Sequence, residues 1–325
     1  MKALICTELG PDLSGVSVAD VDMPCIGPHD VLVKNRAACI NFPDLLMTEG
    51  KYQHRPDLPF IIGMESAGDV VEVGSDASGI SVGDRVIVGG KSGAFAEHRA
   101  APAAIVRPIP AGLDYAEASA HTAGLLTAYV ALVRLGQMRG GETVLIHGAA
   151  GGVGLAAVSL AQHLGARVIA TSASAEKRQW LRDKCGIEHV LGTGEHLRDE
   201  VKAITGSKGV DLCFDPVGGD LFDQSVRCIG FGGRYLVIGF TSSRIPEISV
   251  NYPLIKGFSI IGVRAGEYGR RFPDKGRENI AAIDALAAAG LKPHIGARFD
   301  LPDGLEALRC LLSRTAIGRV AITMD

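Results

Sequence analysis

The apolar positions between Thr143 and Thr171 change their period twice. Thr143–His147 is a short β-branched and apolar run of the kind that forms a strand covered on both faces. Gly148–Gly152 turns the chain sharply. Val153, Ala156, Ala157, Leu160, Ala161 and Leu164 then fall mostly three and four apart, which predicts a helix with Gly165 as its stop. Arg167–Thr171 reads as a second strand and Ala175–Lys184 as a second helix, so the stretch completes a βαβ unit.

The alternation continues. His189–Gly192, Val210–Asp215 and Arg234–Phe240 read as strands, with helices at Leu197–Ile204 and Leu221–Cys228 between them, and an apolar strand, Phe258–Val263, follows a loop containing Ile245, Pro246, Asn251 and Lys256. This is the pattern of a doubly wound parallel sheet. The first third reads instead as all-β. Lys2–Cys6, Asp30–Ala37, Gly68–Val73 and Arg85–Val88 are short candidate strands separated by turn signals such as Gly27-Pro28 and Gly83-Asp84, as in a small barrel-like domain. Within it Asn41–Gly50 turns helical, and Tyr52–Pro59 is a proline-punctuated loop of the kind that often carries function. Tyr115–Leu135 is an alanine-rich helical stretch leading into the doubly wound part. Arg277–Ala289 is a further helix, and the strand Gly318–Thr323 is expected to rejoin the first domain. The fold class is therefore α/β with a second, β-rich domain.

Composition adds limits. A chain of 325 residues, 47% hydrophobic and 21% charged, suits two globular domains. A net charge of −3 argues against nucleic acid or an anionic membrane as the main partner, and no run of apolar residues is long enough to span a bilayer. With no export signal at Met1–Pro11, the expected location is cytoplasmic. Seven cysteines, odd in number and without C-x-x-C spacing, read as reduced thiols.

The glycine turn is the first candidate for chemistry. Ala149, Gly151 and Gly154 occupy the positions of G-x-G-x-x-G, with alanine for the first glycine. A helix N-terminus at Gly151, Gly152, Val153 and Gly154 offers unpaired N–H groups and a positive dipole end to a pyrophosphate. The alternative is an ordinary tight turn in a glycine-rich chain. An acidic residue after the second strand would bind ribose hydroxyls, but the segment here is Thr171-Ser172-Ala173-Ser174. Ser174 can donate to a 2′-phosphate and Lys177 can neutralise it, which favours NADPH over NADH. Alternatively, Ser174 only caps the helix while Lys177 and Arg178 solvate its face.

N-F-P-D at Asn41, G-M-E-S-A-G at Gly63, V-G-D-R-V at Val82, G-A-F-A-E at Gly93, T-A-Y at Thr127, A-A-G-G-V-G at Ala149, D-P-V-G-G at Asp215 and G-R-Y-L-V-I-G-F at Gly233 occur in one order. In this the chain resembles the medium-chain dehydrogenase/reductase superfamily, and within it the zinc-free NADPH:quinone oxidoreductases, often called zeta-crystallin-like. The resemblance implies a GroES-like catalytic domain from residues 1–120 and 270–325, and a Rossmann domain from 121–269. It places Ser174 and Lys177 at the 2′-phosphate, Asn41 and Thr127 at the nicotinamide end, and Gly239 and Phe240 among the cofactor contacts. A tyrosine that many relatives carry near the end of the third strand is replaced here by the segment Val190-Leu191-Gly192-Thr193.

The same resemblance bears on metal. Relatives that hold a catalytic zinc supply thiolates and an imidazole where this chain has Asn41, Met64 and Ala123, none of them a good zinc ligand; Glu65 is retained but cannot hold a metal alone. No metal is expected. His54, His121 and His147 read as surface or packed histidines. Without a Lewis acid, the suitable acceptors are those that delocalise charge as hydride arrives, namely quinones and double bonds conjugated to a carbonyl. Asn41 can donate to the cofactor ribose or the acceptor oxygen, and Tyr52 can stabilise an enolate or deliver a proton; each can also be a cap or a packing residue. Three functions stay open: a quinone or enone reductase, a 2-enoyl thioester reductase, and a non-catalytic NADPH-binding protein. The basic stretch Arg264, Arg270, Arg271, Lys275 and Arg277 can meet the phosphates of coenzyme A, but with Glu267 and Asp274 interleaved it reads better as a solvated loop. An unpaired apolar edge at Phe258–Val263 further predicts a homodimer.

Overall fold

Strand β1 (Lys2–Cys6) and β2 (Val16–Asp20) open the chain as an antiparallel pair. After the long β3 (Asp30–Ile40) come α1 (Phe42–Thr48), β4 (Phe60–Ile61), β5 (Glu65–Val73), β6 (Arg85–Val88), β7 (His98–Pro102) and β8 (Val106–Pro108). The structure, a computed structural model, describes residues Met1–Met324. Helix α2 (Tyr115–Tyr129) loosens into one π-helical turn at Val130–Leu135, where an unbroken helix was expected. The parallel part follows: β9 (Thr143–Ile146), α3 (Gly152–His163), β10 (Arg167–Thr171), α4 (Ala175–Cys185), β11 (His189–Leu191), α5 (Leu197–Ile204), β12 (Val210–Asp215), α6 (Gly219–Ser225), β13 (Ile229–Val237), α7 (Asn251–Lys256) and β14 (Ser259–Gly262). Helices α8 (Ala265–Arg271) and α9 (Pro273–Ala288) precede β15 (Ile295–Asp300), α10 (Gly304–Leu312) and β16 (Arg319–Thr323).

Two units result. Met1–Ala123 with Asp284–Asp325 form one, and Gly124–Ile283 the other. Both crossings fall inside helices, α2 and α9, and the return lies at Asp284, within α9, where residue 270 was expected. The second unit is a six-stranded parallel sheet in the order β11-β10-β9-β12-β13-β14, the winding sequence of a Rossmann sheet with β14 at its edge. Its core packs Leu145, Ile169, Cys213, Phe222 and Tyr235 between sheet and helices.

The first unit is assembled on β3, which pairs with β7, β5 and β16 along its length. Its close fit to β5 requires Gly68, where a Cβ would lie 2.1 Å from the Lys34 carbonyl oxygen. Leu4, Ile40, Met47, Ile62, Phe95, Leu308 and Ile322 bring both chain ends into one core.

Two differences from the sequence pattern matter to the site. Strand β13 begins at Ile229, earlier than expected, and ends at Val237, so Gly239 and Phe240 lie in the loop beyond it, where ligands bind to such sheets. The expected loop around Asn251 and Lys256 is instead the helix α7, ended by Gly257 in the left-handed conformation at φ 62°.

A buried cation organises the turn between β6 and β7. Arg99, 7% exposed, donates through Nη1 to the Val88 carbonyl (3.1 Å) and Ser66 Oγ (3.3 Å), and through Nη2 to the Ser92 carbonyl (2.8 Å). Burial draws its pKa down to about 10, still well above neutrality. Arg99→Met would leave these acceptors unpaired, and a loss of about 3 kcal/mol or more in unfolding free energy is expected. Denaturant titration measures it; a change below about 0.5 kcal/mol would contradict this role.

Candidate functional site

In the second unit, α3 makes its first helical bond from Leu155 N–H to the Gly151 carbonyl at 2.8 Å. The N–H groups of Gly152, Val153 and Gly154 therefore have no carbonyl to reach within the helix. A Cβ on Gly154 would lie 2.2 Å from the Gly148 carbonyl oxygen, so only glycine lets the helix start this close to the turn. Ala149, in place of the first glycine, is fully buried and donates its N–H to the Thr171 carbonyl at 3.1 Å, tying the turn to β10. The result is a concave backbone cradle with a positive helix end, which fits a pyrophosphate.

Beyond β10 the chain turns through Ser172 and Ala173 to Ser174. Ser174 caps α4, its Oγ accepting the Lys177 N–H at 3.3 Å. The cap uses the oxygen as acceptor and leaves the hydroxyl proton to donate, so capping and phosphate binding are compatible. Arg178 does not solvate the helix face. Its Nη1 donates to the carbonyls of Ser172 (2.9 Å) and Ala173 (2.8 Å).

The D-P-V-G-G turn has a structural anchor. Buried Asp215 accepts from Val217 N–H and Gly218 N–H at Oδ1, and from the Tyr235 hydroxyl at Oδ2. Phe240 packs over this turn, its ring 2.9 Å from where a Cβ on Gly218 would be, and Gly239 N–H reaches the Asp215 carbonyl at 3.4 Å. His147 is a packed histidine: its ring nitrogens meet Thr171 Oγ1 (2.9 Å) and Ser225 Oγ (2.6 Å), and burial lowers its pKa to about 4. It is neutral at physiological pH. Thr127, half-buried on α2, belongs to this same unit.

In the first unit the residues around Asn41 form a buried polar network. Arg319 Nη2 donates to Asn41 Oδ1 at 2.8 Å, and because a guanidinium only donates, the amide orientation is fixed. Asn41 Nδ2 then donates to Glu65 Oε2 and to the Cys39 carbonyl, both at 3.2 Å. With both amide hydrogens occupied, any further bond Asn41 makes to a ligand is one that Oδ1 accepts, which replaces the expected donor role. Glu65 Oε1 accepts Ala123 N–H at 2.8 Å, and its Oε2 faces Arg319 at 3.6 Å, both side chains under 10% exposed. Asp44 Oδ2 accepts Asn41 N–H at 2.7 Å.

Three of these groups coincide with the would-be zinc positions. Asn41 and Ala123 are both engaged with Glu65, while Met64 presents its carbonyl to Arg99. The cation facing Glu65 is the Arg319 guanidinium. His121 Nε2 bonds Asp284 Oδ1 at 2.9 Å, a carboxylate also gripped by Arg107. Tyr52 follows α1 and lays its half-buried ring against the core of the first unit. Of the basic stretch, Arg270 and Arg271 pair with Glu267, Lys275 with Glu278 and Arg277 with Asp274, as solvated helix charges do.

Asp44 and Arg319 escaped the sequence reading for different reasons. N-F-P-D spells a helix cap followed by an acid on the third helical residue, so Asp44 carried a readable signal. Arg319 carried none, since its partner lies 278 residues away.

Residues 27–111 match the family model described as alcohol dehydrogenase GroES-like domain, and residues 152–284 that described as zinc-binding dehydrogenase. The chain is 36% identical over 99% of its length to quinone oxidoreductase-like protein 2 homolog of Nematostella vectensis, covering 88% of that protein. The quinone oxidoreductase of Thermus thermophilus, solved alone and with NADPH, superposes with a TM-score of 0.85 at 30% identity over all of both chains. The JamJ enoyl reductase superposes with a TM-score of 0.86 at 28% identity, over all of this chain and 99% of that one. The chain belongs to the medium-chain dehydrogenase/reductase superfamily of oxidoreductases, in its quinone oxidoreductase branch.

Burial pushes the Asp44 carboxyl up from 3.8 to about 8, against the opposing pull of the Asn41 N–H. The folded chain thus keeps a proton that the unfolded chain releases near pH 4, and stability should fall as pH rises from about 4 to about 8. Asp44→Asn keeps an acceptor for Asn41 N–H and cannot ionise. Its melting temperature should exceed that of the unaltered protein at pH 8 and match it near pH 4; parallel pH profiles would refute the assignment.

Proposed function

We propose that this chain is a zinc-independent, NADPH-dependent oxidoreductase that reduces a quinone or an α,β-unsaturated carbonyl. The observation that carries the reading is the pair of features at the carboxyl ends of the neighbouring strands β9 and β10: the cradle at Gly151–Gly154, and the turn carrying Ser174 and Lys177 with no carboxylate between Thr171 and Ser174. NADPH, when bound, supplies hydride from its nicotinamide. The chain supplies the rest. Gly152, Val153 and Gly154 donate N–H groups to the pyrophosphate, and Ser174 and Lys177 hold the 2′-phosphate. Thr127 and the loop at Gly239 and Phe240 serve the nicotinamide end. Asn41, its amide fixed by Arg319, accepts a hydrogen bond from a hydroxyl through Oδ1. The similarity to quinone oxidoreductases supports a quinone acceptor; that to an enoyl reductase favours the second reading, reduction of a 2-enoyl thioester.

Tyr52 separates the acceptor classes. Hydride addition to an enone or enoyl thioester leaves an enolate that needs a proton at carbon, whereas a reduced quinone carries its charge on oxygen and can take a proton from water. A phenol, with an unperturbed pKa of about 10, holds its proton at neutral pH and can give it. In a steady-state panel of quinones, enones and enoyl thioesters, Tyr52→Phe should lower kcat about 10²-fold on an enone and leave a simple quinone nearly unchanged. Wild-type rates on the best enone would make Tyr52 a packing residue. NADPH binding without turnover on any acceptor would sink the enzyme reading.

The second unit also carries an uncovered apolar face. Phe231, Val250 and Leu254 are 91%, 82% and 81% exposed, and Ile255 and Ile260 add to them around the edge strand β14. A symmetry mate pairing along β14 would cover both copies at once. Light scattering at micromolar concentration should give the mass of a dimer, and Leu254→Asp with Ile255→Asp should give a monomer; a monomeric unaltered protein contradicts this.

A further inference from the structure

We propose that Arg178 is the principal selector of NADPH over NADH in this chain, holding the 2′-phosphate in a guanidinium fork beside the Ser174 hydroxyl. The inference rests on the cofactor reading above. Arg178 lies four residues after the cap residue Ser174, so the two share a helix face, and helical side chains lean toward the N-terminus. That lean brings the guanidinium back over the turn, where Nη1 is held by the carbonyls of Ser172 (2.9 Å) and Ala173 (2.8 Å). Both partners are neutral. Arg182, farther along α4, is instead bound to the Val190 carbonyl.

The place of this charge is specific. A Cβ built on Gly192 would lie 4.0 Å from Arg178 Nη1, so the guanidinium stands between the ends of β10 and β11, and the glycine puts no side chain over it. Ligands of doubly wound sheets bind at these carboxyl ends. The two carbonyls engage one nitrogen and leave Nη2 and Nε for two parallel bonds to a phosphate, a geometry no ammonium group can copy. Because the backbone already fixes the side chain, little rotamer freedom remains to be lost on binding. The N-terminal dipole of α4 adds to the same field.

Calorimetric titration of the full-length chain with NADPH, NADH, 2′,5′-ADP and AMP tests the assignment. Arg178→Met keeps the length of the side chain and removes the fork. It should weaken NADPH and 2′,5′-ADP roughly tenfold or more while leaving NADH and AMP within about twofold. Arg178→Lys should recover only part of the loss, and Lys177→Met should cost less than Arg178→Met. Melting curves show that each variant is folded. Equal losses for NADPH and NADH would mean that Arg178 only shapes the turn, and an unchanged preference in Arg178→Met, or one erased by Lys177→Met alone, would also overturn the proposal. If the unaltered chain binds NADPH and NADH equally, the cofactor reading falls and this assignment with it; a preference that survives in Arg178→Met removes this assignment alone.

Discussion

The buried Arg319 guanidinium sets the terms for the first unit. An ion taken out of water is tolerated only where opposite charge and hydrogen bonds replace hydration, and removing one partner of such a set is far more damaging than never having built it. Arg319 has Glu65 at 3.6 Å and Asn41 at 2.8 Å, and through them it links β16, β5 and the entry to α1. Glu65 in turn fixes the Ala123 N–H on α2. The glutamate of G-M-E-S-A-G thus serves as counter-ion to Arg319 and as acceptor to Asn41 and Ala123, three different parts of the chain.

That network also changes what Asn41 can do. An amide with two donors and an acceptor looks versatile in a sequence. Here one cation orients it, and both donors face protein oxygens, so its remaining chemistry is acceptance at a single atom. Burial of Asp44 in the same place pushes its carboxyl up to about 8, so desolvation outweighs the opposing pull of the Arg319 and Arg99 guanidinium groups.

How much was legible in the sequence depended on how local the determinant was. β9, α3 and β10 were readable because Val144, Ile146, Leu155 and Leu160 express their period over a few residues, and their bounds agree with the structure to within a residue or so. The helix α7 was not, because Asn251 and Pro253 are loop signals by composition and its apolar residues Leu254 and Ile255 face outward rather than into a core. Ser174 was legible as a residue but not as a choice between cap and ligand; the geometry shows the cap and leaves the hydroxyl proton available to donate. For Arg178 the sequence left surface charge open as an alternative, and nothing in it tells that two carbonyls hold the guanidinium. Arg319 depended on a fold that brings opposite ends of the chain together, which no window of neighbouring residues contains.

The strand β16 lies between β15 and β3, joined to β3 from Val320 opposite Ile40 to Thr323 opposite Ala37. The second unit is one continuous stretch, Gly124–Ile283, and every strand of its sheet is present before that stretch ends. On a ribosome the order of maturation follows from this geometry. The Rossmann sheet has all its pairings available while the first unit still waits for its last strand, with one edge of β3 unpaired and Glu65 without its guanidinium. The early-made half of the molecule is therefore the last to become whole.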